Sequence, residues 1–274
     1  MAESFLCGLI GAGIQQSRSP ALHEREAKEQ GLALAYKLID LEVLKVGVEG
    51  LPRLLDDAKR TGFNGLNITY PCKQAVISLL DDLSSEARAL NAVNTVVISS
   101  NGRTTGHNTD WSGFAEGFRR GLPGAKLDRV VQLGAGGAGA AVAHAARKLG
   151  VKNLTIFDLD AARAAELADR VGAKAGGSLA AAMAAADGLI HCTPTGMAQR
   201  PGMPLDAKLL EQRHWVAEIV YFPLETELLR NARAKGCRTL DGGGMVVFQA
   251  AAAFRLFTGR EPDGERMLRH FHSM

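Results

Sequence analysis

The run VVQL, followed at once by GAGGAGAAVAHAARKLG, constrains this chain more than any other stretch. A short apolar run rich in valine reads as a buried strand, and the small-residue segment after it as a helix. Between them Gly134, Gly136 and Gly139 make G-x-G-x-x-G, and a second strand, LTIFDLD, follows and ends on an acid. Each part has a physical reason. Gly134 permits the tight strand-to-helix turn, Gly136 lets the backbone approach a pyrophosphate, Gly139 lets the helix pack closely, and the helix N-terminus favours negative charge. Glycine and alanine are common here, so the spacing alone is weak evidence. The strand before it, the helix after it and the acid-terminated strand beyond it point to a dinucleotide-binding unit. The alternative is a glycine-rich turn with no ligand.

Asp158 closes the second strand, about 20 residues beyond the glycines, where a carboxylate can accept hydrogen bonds from adenosine ribose hydroxyls. The same charge repels a ribose phosphate, so NAD is expected rather than NADP. Asp160 and Arg163 lie close by, and Arg163 would soften that discrimination. The competing role for Asp158 is to cap the turn.

The rest of the chain alternates in the same way. FLCGLIG, AYKLIDL and FNGLNIT read as strands; SPALHEREAKEQG, with Ser19 as N-cap and Pro20 at N1, and LPRLLDDAKRTG read as helices. AVISLLDDL reads as a further helix, with another beginning near Ser84 or Ser85. NAVNTVVI and the residues after it flank Asn101-Gly102, a favoured two-residue hairpin turn. GHNTDWSGFAEGFRRGLPG leads into an amphipathic helix. Beyond the glycine motif, DGLIHCTPTGM and WVAEIVYFP are strand ends, TELLRNARAKG is a helix, and a last strand is short or absent before LDGGGMVVFQAAAAFRLFTG. The expected fold is α/β with two domains, which 274 residues can support. Residues 1–108 plus 243–274 form a mostly parallel α/β domain and 109–242 a Rossmann domain, the C-terminal helices returning to the first.

A net charge of +3, spread along the chain with no basic stripe, gives no nucleic-acid face. Cys7, Cys72, Cys192 and Cys237 form no CxxC pair and have no His at metal-ligand spacing, so no metal site is expected and free thiols in a reducing cytoplasm fit best. MAESFLCGLIGAG does not read as a signal peptide, and no apolar run approaches the roughly 18 residues that span a bilayer.

NITYPCKQ, running from Asn67 to Gln74, is strand-like up to Pro71 and then presents Cys72 beside Lys73. For an isolated lysine the ordinary reading is a surface position. A nicotinamide cofactor changes the question, because hydride leaving a secondary alcohol obliges the hydroxyl proton to leave as well. None of the seven histidines sits in a loop linked to the cleft, His107 being the nearest. Lys73 with Asp110 is the alternative, since a neighbouring carboxylate and burial push an ammonium pKa in opposite directions and can tune it.

Taken together and in order, SRSP, NITYPCK, LNAVNT, GHNTDWSGF, GAGGAG and GMVVFQAAAAFRLFTG resemble shikimate dehydrogenases and their quinate/shikimate relatives over essentially the whole chain. The resemblance implies an enzyme that interconverts a ring alcohol and ketone, shikimate and 3-dehydroshikimate or quinate and 3-dehydroquinate. Its setting is the chorismate pathway of aromatic amino acid biosynthesis or the catabolism of these acids, as a monomer or homodimer. It also implies a catalytic pair, Lys73 and Asp110. Ser17 and Ser19 would bind the substrate carboxylate, with Thr69, Asn94, Tyr221 and Gln249 on ring hydroxyls or carboxylate. Gly134, Ala135, Gly136, Gly137 and Ala138 would face the diphosphate, Asp158 the ribose, and Thr193, Ile219 and Gly242 the nicotinamide half. By themselves Ser19 and Asp110 also read as helix caps and Gln249 as part of a helix face.

The chain departs from the family pattern in four places. Asp158-Leu159-Asp160 stands where NADP enzymes usually carry Asn-Arg-Thr or Asn-Arg-Ser, which resembles the NAD-dependent branch. Ile14-Gln15-Gln16-Ser17 lacks the histidine of I-x-H-S, Tyr70 and Cys72 replace smaller or apolar neighbours of the lysine, and Ser19 stands where similar NAD enzymes most often have threonine. These keep open a related ring substrate, such as an amino-substituted analogue. A non-catalytic, nucleotide-responsive protein is the remaining alternative, and the presence of both Lys73 and Asp110 argues against it.

Overall fold

In the computed structural model, which describes Glu3–Met274, the first six apolar runs build one sheet. Its strands are β1 (Ser4–Gly11), β2 (Ala33–Asp40), β3 (Gly65–Ile68), β4 (Asp82–Leu83), β5 (Thr95–Ile98) and β6 (Thr104–His107), in the order β2-β1-β3-β5-β6-β4. β1 runs parallel to β2 and β3, β6 runs parallel to β4, and β5 is antiparallel to both its neighbours. The helix Leu51–Arg60 buries Leu51, Leu55 and Ala58, spaced so that they fall on one face. They pack with Leu66, Ile68 and Val96.

A second cluster joins Cys7, Leu9 and Tyr36 to Ala253 and Phe257, near the other end of the chain. Burial pushes the Cys7 thiol up to about 12. Gly65 has no side chain for a physical reason: a Cβ there would sit 2.2 Å from the Phe257 ring. The residues up to Thr109 therefore form one unit with Gln249–Met274, and Asp110–Phe248 form the other. The sequence expects breaks after 108 and 242; the observed ones follow Thr109 and Phe248.

The second unit holds β7 (Arg129–Leu133), β8 (Asn153–Phe157), β9 (Lys174–Ala175), β10 (Gly188–His191), β11 (Trp215–Glu218) and β12 (Arg238–Leu240), ordered β12-β11-β10-β7-β8-β9 with every pair parallel. Strand order reverses at β7 and β10, and such a reversal opens a crevice at the strands' carboxyl ends. The last strand, short or absent by sequence, is present as the three residues of β12.

Three local expectations change. AVISLLDDL is no α-helix: Ala75–Leu79 makes a 3-10 turn, and Asp81 then accepts from the Thr104 N–H (2.7 Å) and hydroxyl (2.9 Å), drawing the chain into β4. Asn101-Gly102 lies within a longer connection closed by Ser99 N–H to Arg103 O, because five residues separate β5 from β6. Ser19 does not cap its helix; Arg18 holds the N-cap position without a side-chain bond. Ser84 does cap the next helix, accepting from Ala87 N–H at 3.1 Å. Among the described residues, no helix is long and apolar enough to cross a membrane.

His23 is fully buried, stacks on Tyr36 at 4.9 Å between centroids, and has no hydrogen-bond partner for either ring nitrogen. Burial pushes its pKa down to about 3. The unfolded chain therefore takes up a proton below the ordinary histidine value while the folded chain refuses it, so stability falls as pH drops from about 6.5 towards 3. At pH 4.5 the cost is about 2–3 kcal/mol. His23→Leu is expected to remove that share of the acid sensitivity. Urea unfolding of both proteins at pH 7 and 4.5 checks it, and an equal loss in the variant would refute it.

Candidate functional site

The loop after β1 is organised by the carboxylate at the end of β2. Asp40 accepts from the Gly13 and Ile14 N–H groups and the Gln15 amide, each at 3.0 Å, and caps the following turn at Glu42 N–H. The Gln15 amide first, then the backbone donors, hold its carboxyl below the usual range. Three of these four donors, from Gly13, Ile14 and Gln15, tie down the stretch leading to Ser17. Ser17 donates to the Ser19 hydroxyl at 3.2 Å and accepts the Ser19 N–H at 3.2 Å, so the two half-buried hydroxyls stand together. Ser19 does not cap the helix; its hydroxyl sits between those of Ser17 and Tyr36.

NITYPCK leaves β3 and turns back. Thr69 N–H donates to Ile10 O, Cys72 N–H to Thr69 O, Ala12 N–H to Tyr70 O and Val93 N–H to Lys73 O. Within this turn Cys72 is fully buried in the core, whereas Tyr70 is 77% exposed. Of the two substituted neighbours of Lys73, only Tyr70 alters the surface.

Behind the turn lies a buried polar chain. The Tyr36 hydroxyl donates to Asn67 Oδ1 (2.7 Å), Asn67 Nδ2 to Thr95 Oγ1 (3.1 Å), Thr95 to Asn94 Oδ1 (3.0 Å), and Asn94 Nδ2 to Thr109 Oγ1 (3.0 Å). Thr109 N–H returns a bond to Asn94 Oδ1 at 2.7 Å. Buried amides and hydroxyls satisfied in this way specify one arrangement. Asn94 is thus locked by partners that sequence spacing does not reveal.

In the second unit Asp110 opens the helix Asp110–Gly121 and is buried. Gly134 has φ +101°, as a turn this tight requires, and a Cβ there would strike Cys192 O at 2.6 Å. A Cβ on Gly139 would meet Gly134 O at 2.3 Å, so helix and loop are in close contact. Around Gly136 and Gly137 an added Cβ would find nothing within 4 Å. With Ala135 and Ala138 beside them, these glycines open the helix Gly137–Leu149, whose first N–H groups lack intrahelical partners. An open cradle with spare donors fits a diphosphate.

Asp158 accepts from Ala135 N–H at 2.7 Å and from Asp160 N–H at 2.9 Å. The capping role and a place beside the glycine loop coexist, and lone pairs remain on the carboxylate for a diol. Asp160 caps the next helix and holds the exposed Arg163 guanidinium at 3.5 Å. Arg163 therefore stands next to a carboxylate that offsets its charge.

At the carboxyl ends of β10 and β11 stand two residues that the motifs overlook. His191 Nδ1 lies 2.9 Å from both Glu218 oxygens, and its Nε2 hydrogen-bonds with the Thr193 hydroxyl. Glu218 also accepts the N–H groups of Ile219 (2.9 Å) and Val220 (3.0 Å) and the Thr226 hydroxyl (3.2 Å). Both residues are buried. The available signal is an acid and an imidazole inside the apolar runs WVAE and GLIH. Gly242 presses on the same turn, since its Cβ would lie 2.5 Å from the Ile219 and Val220 carbonyls. Tyr221, next along, is 45% exposed. Gln249 is half-buried in the helix Gly243–Thr258 and belongs to the first unit.

The chain is similar to known proteins over most of its length. Residues 9–96 match the shikimate dehydrogenase substrate binding domain, and residues 242–270 the shikimate 5'-dehydrogenase C-terminal domain. The chain is 60% identical to the shikimate dehydrogenase (NADP(+)) of Streptomyces avermitilis, over 97% of this chain and 94% of that one. It is 52% identical to the quinate/shikimate dehydrogenase (NAD(+)) of Corynebacterium glutamicum, over the full length of both. The solved quinate dehydrogenase from Corynebacterium glutamicum in complex with NAD superposes with a TM-score of 0.95 at 51% identity, covering 99% of this chain and 100% of that one.

Proposed function

The chain belongs to the shikimate dehydrogenase family, and from that premise we propose that it is an NAD-dependent oxidoreductase interconverting shikimate and 3-dehydroshikimate, with quinate and 3-dehydroquinate as a second pair. Relatives named for NADP(+) and for NAD(+) are both close in sequence, so kinship leaves the choice of cofactor to the site. The observation that carries the choice is Asp158, held by two backbone N–H groups at the end of β8, with Asp160 beside it and engaging Arg163. Two carboxylates there favour ribose hydroxyls and oppose a phosphate.

NAD, when bound, supplies the acceptor for a hydride from the ring carbon. The protein's own part is to hold the ring and move the hydroxyl proton. We assign Lys73 and Asp110 to the proton, one able to carry it as ammonium and the other to stabilise that charge. Ser17 and Ser19 are assigned to the ring carboxylate, and Thr69, Asn94, Tyr221 and Gln249 to hydroxyls or carboxylate. Short donors and acceptors suit a hydroxylated acid, and the buried network holds Asn94 in one orientation. Ala135, Gly136, Gly137 and Ala138 are assigned to the diphosphate, and Thr193, Ile219 and Gly242 to the nicotinamide end. The four cysteines are buried and unpaired, which suits a reducing cytoplasm.

Absorbance of reduced nicotinamide with shikimate or quinate, each paired with NAD and with NADP, tests this reading. Turnover is expected with NAD and little with NADP. No turnover in any of the four mixtures would overturn it.

A further inference from the structure

We infer that the buried Glu218–His191 pair is a positioning device that sets the direction of the Thr193 hydroxyl, so that Thr193 presents one lone pair to the nicotinamide carboxamide. The inference rests on the proposed NAD reading, which puts Thr193 and Ile219 at that end of the cofactor.

The hydrogen-bond partners of Glu218 place a hydrogen on the imidazole nitrogen that faces it. Its Oε1 accepts two backbone N–H groups, from Ile219 and Val220, and its Oε2 accepts the Thr226 hydroxyl. Both oxygens are acceptors, so the Nδ1 of His191, 2.9 Å from each, must carry hydrogen. In the neutral ring Nε2 is then an acceptor, and the Thr193 hydroxyl must donate to it. One Thr193 lone pair takes the Thr195 N–H at 3.3 Å. The other remains for a ligand, and its match is an N–H donor. The carboxamide is the group at the nicotinamide end that offers one.

The same carboxylate also anchors the Ile219–Val220 turn, against which Gly242 packs. One buried pair thereby sets the ends of β10 and β11 together. Thr226, which Glu218 also holds, caps the helix Glu227–Ala234 at Leu229 N–H. The arrangement ties the loops to a rigid element.

Three variants of the full chain test this: Glu218→Gln, Thr193→Val, and the two combined. An amide at position 218 offers N–H where the carboxylate only accepts, which turns the imidazole and with it the hydroxyl. Binding of NAD and of its 3-acetylpyridine analogue, which lacks carboxamide N–H, is read by protein fluorescence, with thermal unfolding as the check on folding. Each single variant is expected to weaken NAD about ten-fold and to leave the analogue within about two-fold. The double variant should be no weaker than either single, as coupled groups require, and the KM for shikimate should hold while kcat falls. Equal weakening of both dinucleotides, or additive losses in the double variant, overturns the inference. Thr193→Val carries the same decision if Glu218→Gln does not fold. Absence of turnover by the unaltered protein, with NAD still bound and still preferred over the analogue, sinks the substrate reading and leaves this inference standing.

Discussion

Replacing Lys73 with alanine is expected to lower kcat by about 10²–10⁴-fold while NAD affinity and unfolding temperature stay near those of the unaltered protein. The asymmetry follows from how the turn is built. Lys73 contributes its carbonyl to the fold, accepting Val93 N–H at 2.9 Å, and alanine keeps that bond. The neighbouring Cys72 is buried in the core of the first unit. Removing the amine deletes the proposed proton carrier and keeps this backbone bond. Stopped-flow and steady-state rates with shikimate, alongside a dinucleotide titration, separate the two effects. A variant with near-normal kcat would mean that another group handles the proton.

Asp158→Ala carries the second large effect, on cofactor choice. The carboxylate accepts Ala135 N–H and Asp160 N–H, and the proposed ribose contacts add to these. Hydrogen bonds to a charged group contribute about 1.5–3 kcal/mol each, so NAD affinity should fall by roughly two orders of magnitude. NADP should lose less, because the same change removes a charge that opposes its phosphate. The ratio of the two dissociation constants is the informative quantity. Parallel losses would show that Asp158 shapes the glycine loop without choosing between the cofactors.

The sequence exposes features that repeat or punctuate. The alternation of strand and helix, the glycines around Gly134 and the helix start near Ser84 each follow from local chemistry, and the fold contains them. Where local and long-range demands compete, the reading fails. AVISLLDDL has helical spacing, yet Asp81 is captured by Thr104, 23 residues away, and the helix never forms. Ser19 has the makings of a cap but is claimed by Ser17. His191 and Glu218 lie in runs that read as strand core, and only the pairing of β10 with β11 brings them together. Polar groups inside apolar strands are costly alone, so each is a sign of a partner that the sequence does not identify.

The contact between Gly65 and Phe257 bears on how the chain is made. The second unit is one unbroken segment, Asp110–Phe248, whereas the first needs Gln249–Met274 to fill one side of its sheet. On the ribosome the early strands emerge with that apolar face only partly covered and wait for the C-terminal helices, while the middle of the chain has all it needs to close. The first unit's strands are made before the second unit, but the second is completed before the first.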